Sequence, residues 1–250
     1  MKMRATLLAG LLMFGAPIQA QTVTIDNVTI LDVTNGRLQQ RKTIVIEGNR
    51  ITRIENATDA TRAAATLDGT GMFAIPGLWD MHVHAYFTND TAQFHSTSEV
   101  MLPLFIVNGI TGVRDLGSNL DATLAARDSV GAHQMIGPRM LVSGPMLDGP
   151  TTRYATAIKV ANRDEARAAV RMLKRRGVDM IKTQSLIPKD AYFALADEAA
   201  RIGIPFEGHV PNAITGMEAI AAVGGCRVLR NEDQMSAERC LLPTMVAMLQ

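Results

Sequence analysis

Two histidines separated by one residue form the part of the sequence best suited to chemistry. Asp80, His82 and His84 alternate within the segment that follows Pro76-Gly77. Side chains two residues apart in an extended strand point to the same face, so these three groups project together. Two neutral imidazoles on one face can bind the same metal ion. The spacing therefore predicts a metal site, with a pair of surface histidines as the alternative.

The same segment resembles a known family signature. Pro76, Gly77, Asp80, His82 and His84 match the "PGxxDxHxH" pattern of the amidohydrolase superfamily of metal-dependent hydrolases. The resemblance implies a (β/α)8 barrel of the TIM type, whose strand ends carry the metal ligands. It also implies that a divalent metal, zinc as one or two ions, activates water for the hydrolysis of amide C–N bonds.

The resemblance extends to two later strands, in the family's order. Lys182 ends the apolar run of residues 178–182, where dinuclear members carry a carboxylated lysine that bridges two metals. A carbamate needs a desolvated, neutral amine, which an apolar strand provides. His209 stands where the fifth barrel strand carries the next metal ligand. The alternatives are a lysine whose ammonium reaches solvent and a structural histidine.

The loop predicted after the third barrel strand is the candidate substrate region. Residues 143–149 and 190–193 are most similar to exported imidazolonepropionase-like and Xaa-Pro dipeptidase-like members, which implies a small-molecule amide or dipeptide substrate. Asp148, Arg153 and Tyr154 are candidates for substrate contact, and a solvated loop is the alternative. Asp80 and Asp115 are candidates for orienting neighbouring groups rather than for binding metal.

Two features depart from the family pattern. Asn231 stands where the sixth strand normally ends in a histidine ligand, and an amide oxygen is a poor replacement for imidazole at a transition metal. The chain is also expected to be truncated at its C-terminal side, because a closed barrel typically needs about 250 residues and roughly 175 remain after the leader and the β lobe. The general-base aspartate of the last strand would then be missing. An open barrel edge favours an oligomer that covers it.

The elements that must position these groups follow from local patterns. Short β-branched runs around Asn35-Gly36 and Gly48-Asn49 turns predict a small β-sandwich-like lobe over residues 21–70. Strand and helix patterns then alternate over residues 71–250, which predicts an α/β fold of about six βα units. An open doubly wound sheet and an incomplete (β/α)8 barrel both fit this alternation, and the resemblance selects the barrel. The predicted strands cover residues 74–82, 112–116, 139–143, 178–183, 205–209 and 226–230, and the clearest helices cover 164–176 and 189–202.

Composition restricts the partners and the compartment. The 25 basic and 24 acidic residues give a net charge of +1 without a basic run, which argues against nucleic acid. Residues 1–20 have the basic start, apolar middle and small-residue end of a signal peptide, so export to the periplasm or secretion is expected. No later apolar run is long enough to predict a membrane anchor. The two cysteines, Cys226 and Cys240, allow one disulfide bridge or two inert thiols.

Three hypotheses remain open from the sequence. The first is a metal-dependent amide hydrolase with His82, His84, Lys182 and His209 as ligands. The second is a non-catalytic exported remnant that binds at most one metal ion. The third is the product of a frameshift near Gly225, which would replace the sixth strand and end the chain early.

Overall fold

The computed structural model describes residues 22–57 and 65–222. The described residues form two compact units, one that ends at Pro76 and one that begins at Gly77. The predicted signal peptide, the sixth strand, Asn231 and both cysteines lie outside the described residues. No helix within the described ranges is long and apolar enough to cross a membrane.

The first unit is one mixed β-sheet. Its strands are β1 (Thr22–Asp32), β2 (Arg37–Glu47), β3 (Arg50–Asn56), β4 (Ala65–Asp68) and β5 (Phe73–Ala74). Strands β1, β2 and β3 form an antiparallel meander, while β4 and β5 both pair with β1 in parallel. The expected sandwich is therefore corrected to a single sheet within the described residues. The long strand β1 pairs with β4 along its first half and with β5 along its second half. Both short strands therefore extend the same sheet and do not form a second layer.

The second unit is built on parallel strands. They are β6 (Leu78–Val83), β7 (Ile110–Asp115), β8 (Arg139–Val142), β9 (Leu147–Asp148), β10 (Ile158–Lys159), β11 (Ile181–Thr183) and β12 (Phe206–Gly208). They pair in the orders β6-β7-β8 and β10-β9-β11-β12, and every pairing is parallel. Parallel neighbours need crossover connections, which helices provide for these strands except between β9 and β10, where a loop connects them.

Six α-helices lie within the described residues, and the two that the sequence predicted most clearly end at the expected glycines. They are α1 (Thr91–Ser96), α2 (Leu102–Val107), α3 (Leu120–Gly131), α4 (Arg163–Arg176), α5 (Lys189–Ile202) and α6 (Gly216–Ala222), with a π-helical turn over Thr97–Met101. The Asn162 side chain accepts hydrogen bonds from the first backbone N–H groups of α4. Gly177 and Gly203 end α4 and α5 in the left-handed conformation that favours glycine.

The strand order favours a barrel over a doubly wound sheet. The Asp179 N–H donates to the Val142 carbonyl at 2.8 Å, so the segment that leads into β11 lies beside β8. The strands β6, β7, β8, β11 and β12 therefore neighbour one another in chain order, whereas a doubly wound sheet reverses its order partway. The described strands form a TIM-barrel-like α/β arrangement and do not close into a full barrel. Its core between strands and helices includes the fully buried Leu147, Leu173 and Leu195.

Candidate metal and substrate site

The two histidines of β6 and its C-terminal end face the same space. The Nε2 atoms of His82 and His84 lie 3.2 Å apart, and the rings meet edge to face. Asp80 turns back to its own strand, where its Oδ1 accepts a hydrogen bond from the His82 N–H at 3.0 Å. Burial, followed by the charge of Lys182, lowers the pKa of His82 to about 4. The His82 ring is therefore neutral at pH 7, and a neutral imidazole can bind a metal.

A backbone carbonyl fixes the orientation of the His84 ring. The His84 Nδ1 lies 2.9 Å from the Gly117 carbonyl oxygen. Since that oxygen can only accept, Nδ1 carries the proton and the Nε2 lone pair faces the His82 ring. Gly117 has a φ of +142°, and a Cβ at this position would press against Met146 and approach His84 Nδ1 to 3.3 Å. Glycine thus lets the backbone come close enough to hold the ring.

Asp115 organises the backbone on both sides of this contact. It is fully buried and accepts hydrogen bonds from the Ala85 N–H at 2.8 Å, the Gly117 N–H at 3.2 Å and the Ser118 hydroxyl at 2.8 Å. Burial raises its pKa, although these three hydrogen bonds oppose the rise. The Ser118 Oγ in turn accepts from the Tyr86 N–H at 3.1 Å. Asp115 therefore links the segment after His84 to the segment that contains Gly117 through hydrogen bonds to both.

Lys182 lies in the interior at the middle of β11. It is 1% exposed, and burial lowers the pKa of its amine to about 8, against the raising effect of Glu207. Glu207 is its register partner on β12 and forms a buried ion pair with Arg114, at 2.8 Å between Arg114 Nη1 and Glu207 Oε2. The predicted alternative, an ammonium that reaches solvent, does not describe this side chain.

His209 follows β12 directly. Its N–H donates to the Thr183 carbonyl at 3.2 Å, and Gly208 beside it has a φ of +138°. A Cβ on Gly208 would collide with the Thr183 backbone, so only glycine permits this approach. Burial and the charge of Lys182 lower the pKa of His209 to about 4. The strand end therefore presents a neutral imidazole.

The four predicted ligands share one region without forming a complete set of donors. His82 and His84 are in contact, and Lys182 and His209 lie on β11 and directly after its partner β12. Within residues 22–57 and 65–222, however, no three His, Cys, Asp or Glu side chains lie close enough together to hold a metal ion. The His82–His84 pair is thus the assembled part of the site.

The predicted substrate residues occupy different surroundings. The Tyr154 ring lies 5.6 Å from that of Phe87, which itself lies 4.9 Å from His84, and the Arg153 guanidinium lies over Tyr154 at 5.5 Å. Asp148 was predicted as a candidate for substrate contact in a loop, with a solvated loop as the alternative, but it belongs to β9 and is fully buried. A strand of only two residues is too short to leave an alternating pattern in the sequence.

Sequence reasoning missed three kinds of contact around these ligands. Arg114 and Glu207 pair between strands far apart in the chain, and Phe87 connects His84 to Tyr154. The Gly117 carbonyl is a backbone group, so no residue type identifies it. The one available signal for the ion pair was the presence of charged residues in short buried strands, Arg114 in β7 and Glu207 in β12.

Comparisons with known proteins agree with this architecture. The profile of the amidohydrolase family matches residues 73–249. A Xaa-Pro dipeptidase with bound methionine in the active site is 20% identical, with a TM-score of 0.70 over 89% of this chain and 65% of that chain. A prolidase complexed with N-methylphosphonate-L-proline is 23% identical, with a TM-score of 0.67 over 89% of this chain and 64% of that one. Ochratoxinase of A. niger is 19% identical, with a TM-score of 0.61 over 84% of this chain and 60% of that one.

These structural similarities establish a common fold. The chain spans less than two thirds of the length of each of these solved structures. No curated protein sequence matches it significantly. The family profile covers most of the chain, including the His-x-His segment and the strands that carry Lys182 and His209, and so confirms the resemblance first drawn from those residues. The chain belongs to the amidohydrolase family.

Proposed function

We propose that this protein is a metal-dependent hydrolase of amide C–N bonds in small peptides or cyclic amides. The observation that carries the proposal is the pair of imidazole nitrogens 3.2 Å apart at the end of the first barrel strand. Two nitrogens bound to one tetrahedral zinc ion at about 2.0–2.1 Å would be separated by roughly 3.3 Å. The separation of the pair therefore matches the one expected for a shared ion.

Lys182 and His209 are the residues that would complete the ligand set. An ammonium cannot bind a metal, so Lys182 would act as a carbamate, which supplies oxygen ligands. Its burial and its lowered pKa of about 8 favour the neutral amine that reacts with carbon dioxide. This donor set suits zinc, as one or two ions.

The protein's own groups would prepare the site for hydrolysis. A bound divalent ion supplies Lewis-acid polarisation of the scissile carbonyl and a water of lowered pKa. The Gly117 carbonyl holds the tautomer of His84 that leaves Nε2 free, and Asp115 holds Gly117. The low pKa values of His82 and His209 keep both imidazole rings neutral at pH 7. The proton-transferring aspartate that the resemblance places on the last strand falls outside the described strands.

The similar structures support dipeptides as the first substrates to test. One is a prolidase complexed with N-methylphosphonate-L-proline, and another is a Xaa-Pro dipeptidase. Within the family, the Xaa-Pro dipeptidase-like branch is therefore the proposed assignment. Export through the N-terminal signal peptide is part of the same proposal and places the enzyme where short peptides from outside the cell arrive.

The test begins with metal binding by the full chain. The protein is stripped with a chelator and titrated with zinc, and the metal content is measured by mass spectrometry. We expect His84→Ala to weaken zinc binding by at least about tenfold. His95→Ala is the matched control because His95 is exposed and paired with Glu99. Equal zinc binding by all three proteins would refute the metal site.

Hydrolysis is then measured on a panel of Xaa-Pro dipeptides and cyclic amides. Lys182→Ala should lose both zinc and turnover, and a short carboxylic acid should restore part of each by taking the place of the carbamate. Stoichiometric zinc without turnover on any substrate would support a metal-binding protein that is not a hydrolase. Turnover that survives complete removal of the metal would contradict the proposed mechanism.

A further inference from the structure

The first barrel strand is irregular at its first histidine. The register of β6 against β7 is interrupted between Asp80 and Val83. Two residues of β6, Met81 and His82, lie there opposite one residue of β7, Arg114. Such an extra residue is a β-bulge, which is rare in parallel pairs and is found where a strand has to redirect a side chain. The bulge therefore sets the direction of the His82 side chain.

Side chains bind both polar groups of the bulged peptide. The Arg114 Nε donates to the Met81 carbonyl at 2.9 Å, and the His82 N–H donates to Asp80 Oδ1 at 3.0 Å. Backbone polar groups need such partners wherever the regular ladder is interrupted. Asp80 belongs to the same strand as His82, whereas Arg114 belongs to the neighbouring strand. Arg114 therefore fixes the bulge relative to β7.

The same side chain also reaches a strand of the other sheet. The Arg114 Nη1 lies 2.8 Å from Glu207 Oε2, and both side chains are buried. Glu207 belongs to β12, which among the described strands pairs only with β11. It is the register partner of Lys182 and precedes His209 by two residues. One guanidinium thus contacts the peptide that leads into His82 and the strand that leads to His209.

The chemistry of this contact favours positioning over stability. A buried ion pair gains little over two apolar side chains of similar volume, because both charges lose their hydration. A guanidinium, however, carries several donors in one rigid plane and can hold two acceptors at a set separation. The two acceptors that Arg114 joins, the Met81 carbonyl and Glu207, therefore explain the arginine better than its charge does.

We propose that Arg114 is a positioning residue, which fixes His82 relative to Lys182 and His209 before any metal binds. The proposal rests on the proposed metal site and concerns the alignment of its two parts. Arg114 holds the His82 ring where its Nε2 lies 3.2 Å from that of His84. The His84 ring is held independently by the Gly117 carbonyl.

The first test compares ring contacts in the metal-free full chain. The double variant Arg114→Met, Glu207→Met replaces the ion pair with apolar side chains of similar volume, so it should fold. In the unmodified protein the rings of His82 and His84 are 5.1 Å apart, and nuclear Overhauser effects between their protons should be observed. We expect these effects to be lost in the double variant, while those between His84 and Phe87, at 4.9 Å, remain. Zinc affinity should fall by at least about tenfold.

Two further variants separate positioning from stability. Glu198→Gln is the matched control, because it breaks buried ion pairs on α4 and α5 and should keep both the ring contact and the zinc affinity. Arg114→Lys leaves a positive charge beside Glu207, so it does not risk the fold. Its single nitrogen cannot occupy both donor positions, and the ring contact and zinc affinity should be weakened, though less than in the double variant. An intact contact between the His82 and His84 rings in either folded Arg114 variant would overturn the proposal.

The outcome also distinguishes this proposal from the proposed function. Loss of the ring contact in the double variant, when the unmodified chain binds no zinc, would support the positioning role and refute the metal site. Stoichiometric zinc binding by the unmodified chain, together with an intact ring contact in the double variant, would support the metal site and refute the positioning role.

Discussion

Replacement of Asp115 tests the most connected part of the site. The side chain is fully buried and accepts hydrogen bonds from three donors, the backbone N–H groups of Ala85 and Gly117 and the hydroxyl of Ser118. Asp115→Ala leaves all three without their acceptor, and each buried unsatisfied group costs about 1–3 kcal/mol. The expected loss is about 3–9 kcal/mol of unfolding free energy. Total stabilities are about 5–15 kcal/mol, so this variant should be partly or wholly unfolded.

Asp115→Asn should destabilise the protein much less than Asp115→Ala, because the two carboxylate oxygens do not accept equal shares of the three hydrogen bonds. Oδ2 accepts from Ala85 and Ser118 at 2.8 Å each, whereas Oδ1 accepts only from Gly117, at 3.2 Å. An asparagine whose oxygen takes the Oδ2 position keeps the two shorter bonds and loses the one to Gly117. The unfolding free energy should then fall by about 1–3 kcal/mol.

The consequence for His84 distinguishes positioning from simple stability. In Asp115→Asn the amide group faces the Gly117 N–H, which displaces the carbonyl that accepts from His84 Nδ1. Zinc affinity should therefore fall by about 10- to 100-fold in a folded protein. The nitrogen chemical shifts of the His84 ring should report a mixture of tautomers in place of one.

Urea unfolding, zinc titration and NMR of nitrogen-labelled histidine provide the three measurements. Asp190→Asn is the control, since its carboxylate is exposed at the start of α5. If Asp115→Asn were as destabilising as Asp115→Ala, the division of bonds between the two oxygens would be wrong. If its zinc affinity and His84 tautomer matched those of the unmodified protein, Asp115 would stabilise the fold without positioning the ligand.

Two further predictions concern the strands and helices around the site. Gly208→Ala should lower the free energy of unfolding by about 1–3 kcal/mol through backbone strain alone, and further through the collision with Thr183. It should also weaken zinc binding, because it moves His209. Gly203→Ala, which is also at positive φ but has open space around it, should lose stability without losing zinc affinity, and urea unfolding and zinc titration measure the two effects. Hydrogen bonds from Arg201 and Arg171 lower the pKa of Glu198 from 4.5 to about 2, so its ion pairs stabilise the protein above pH 4.5 and cease to do so as the pH falls toward 2. The melting temperature of Glu198→Gln should accordingly lie below that of the unmodified protein at pH 7 and approach it at pH 2–3, and a constant difference across this range would contradict the lowered pKa.

The features that could be predicted from the sequence are those with local causes. The ends of α4 and α5 follow from a capping asparagine and from glycines that adopt positive φ, all within a few residues of the helix. The His82–His84 pair follows from the period of a strand. Lys182 and His209 were placed by resemblance to the family, and their buried and strand-end positions are properties of the neighbouring strands.

The features that could not be predicted join distant parts of the chain. Arg114 and Glu207 are separated by several crossovers, and a strand pattern does not say which charges will meet. The single-sheet lobe depended on where β4 and β5 would pair, which their own short sequences do not specify. Asp148 lies in a strand of two residues whose sequence is typical of a loop, although it is one of the most buried acidic residues in the described part of the chain.

The arrangement of contacts explains why half of the site is assembled within the described residues. His82, His84, Asp115 and Gly117 all belong to β6, β7 and the segments that follow them, which pair directly in parallel register. Their geometry therefore depends on one strand pair and its hydrogen bonds, and not on closure of a barrel. Lys182 lies on β11 and His209 directly follows β12, and these two strands form a second pair with its own register. A metal ion bound by residues of both strand pairs would link them. Because the ion binds only the folded form, its binding free energy should add to the stability of the unit, and by more than any single ligand contributes.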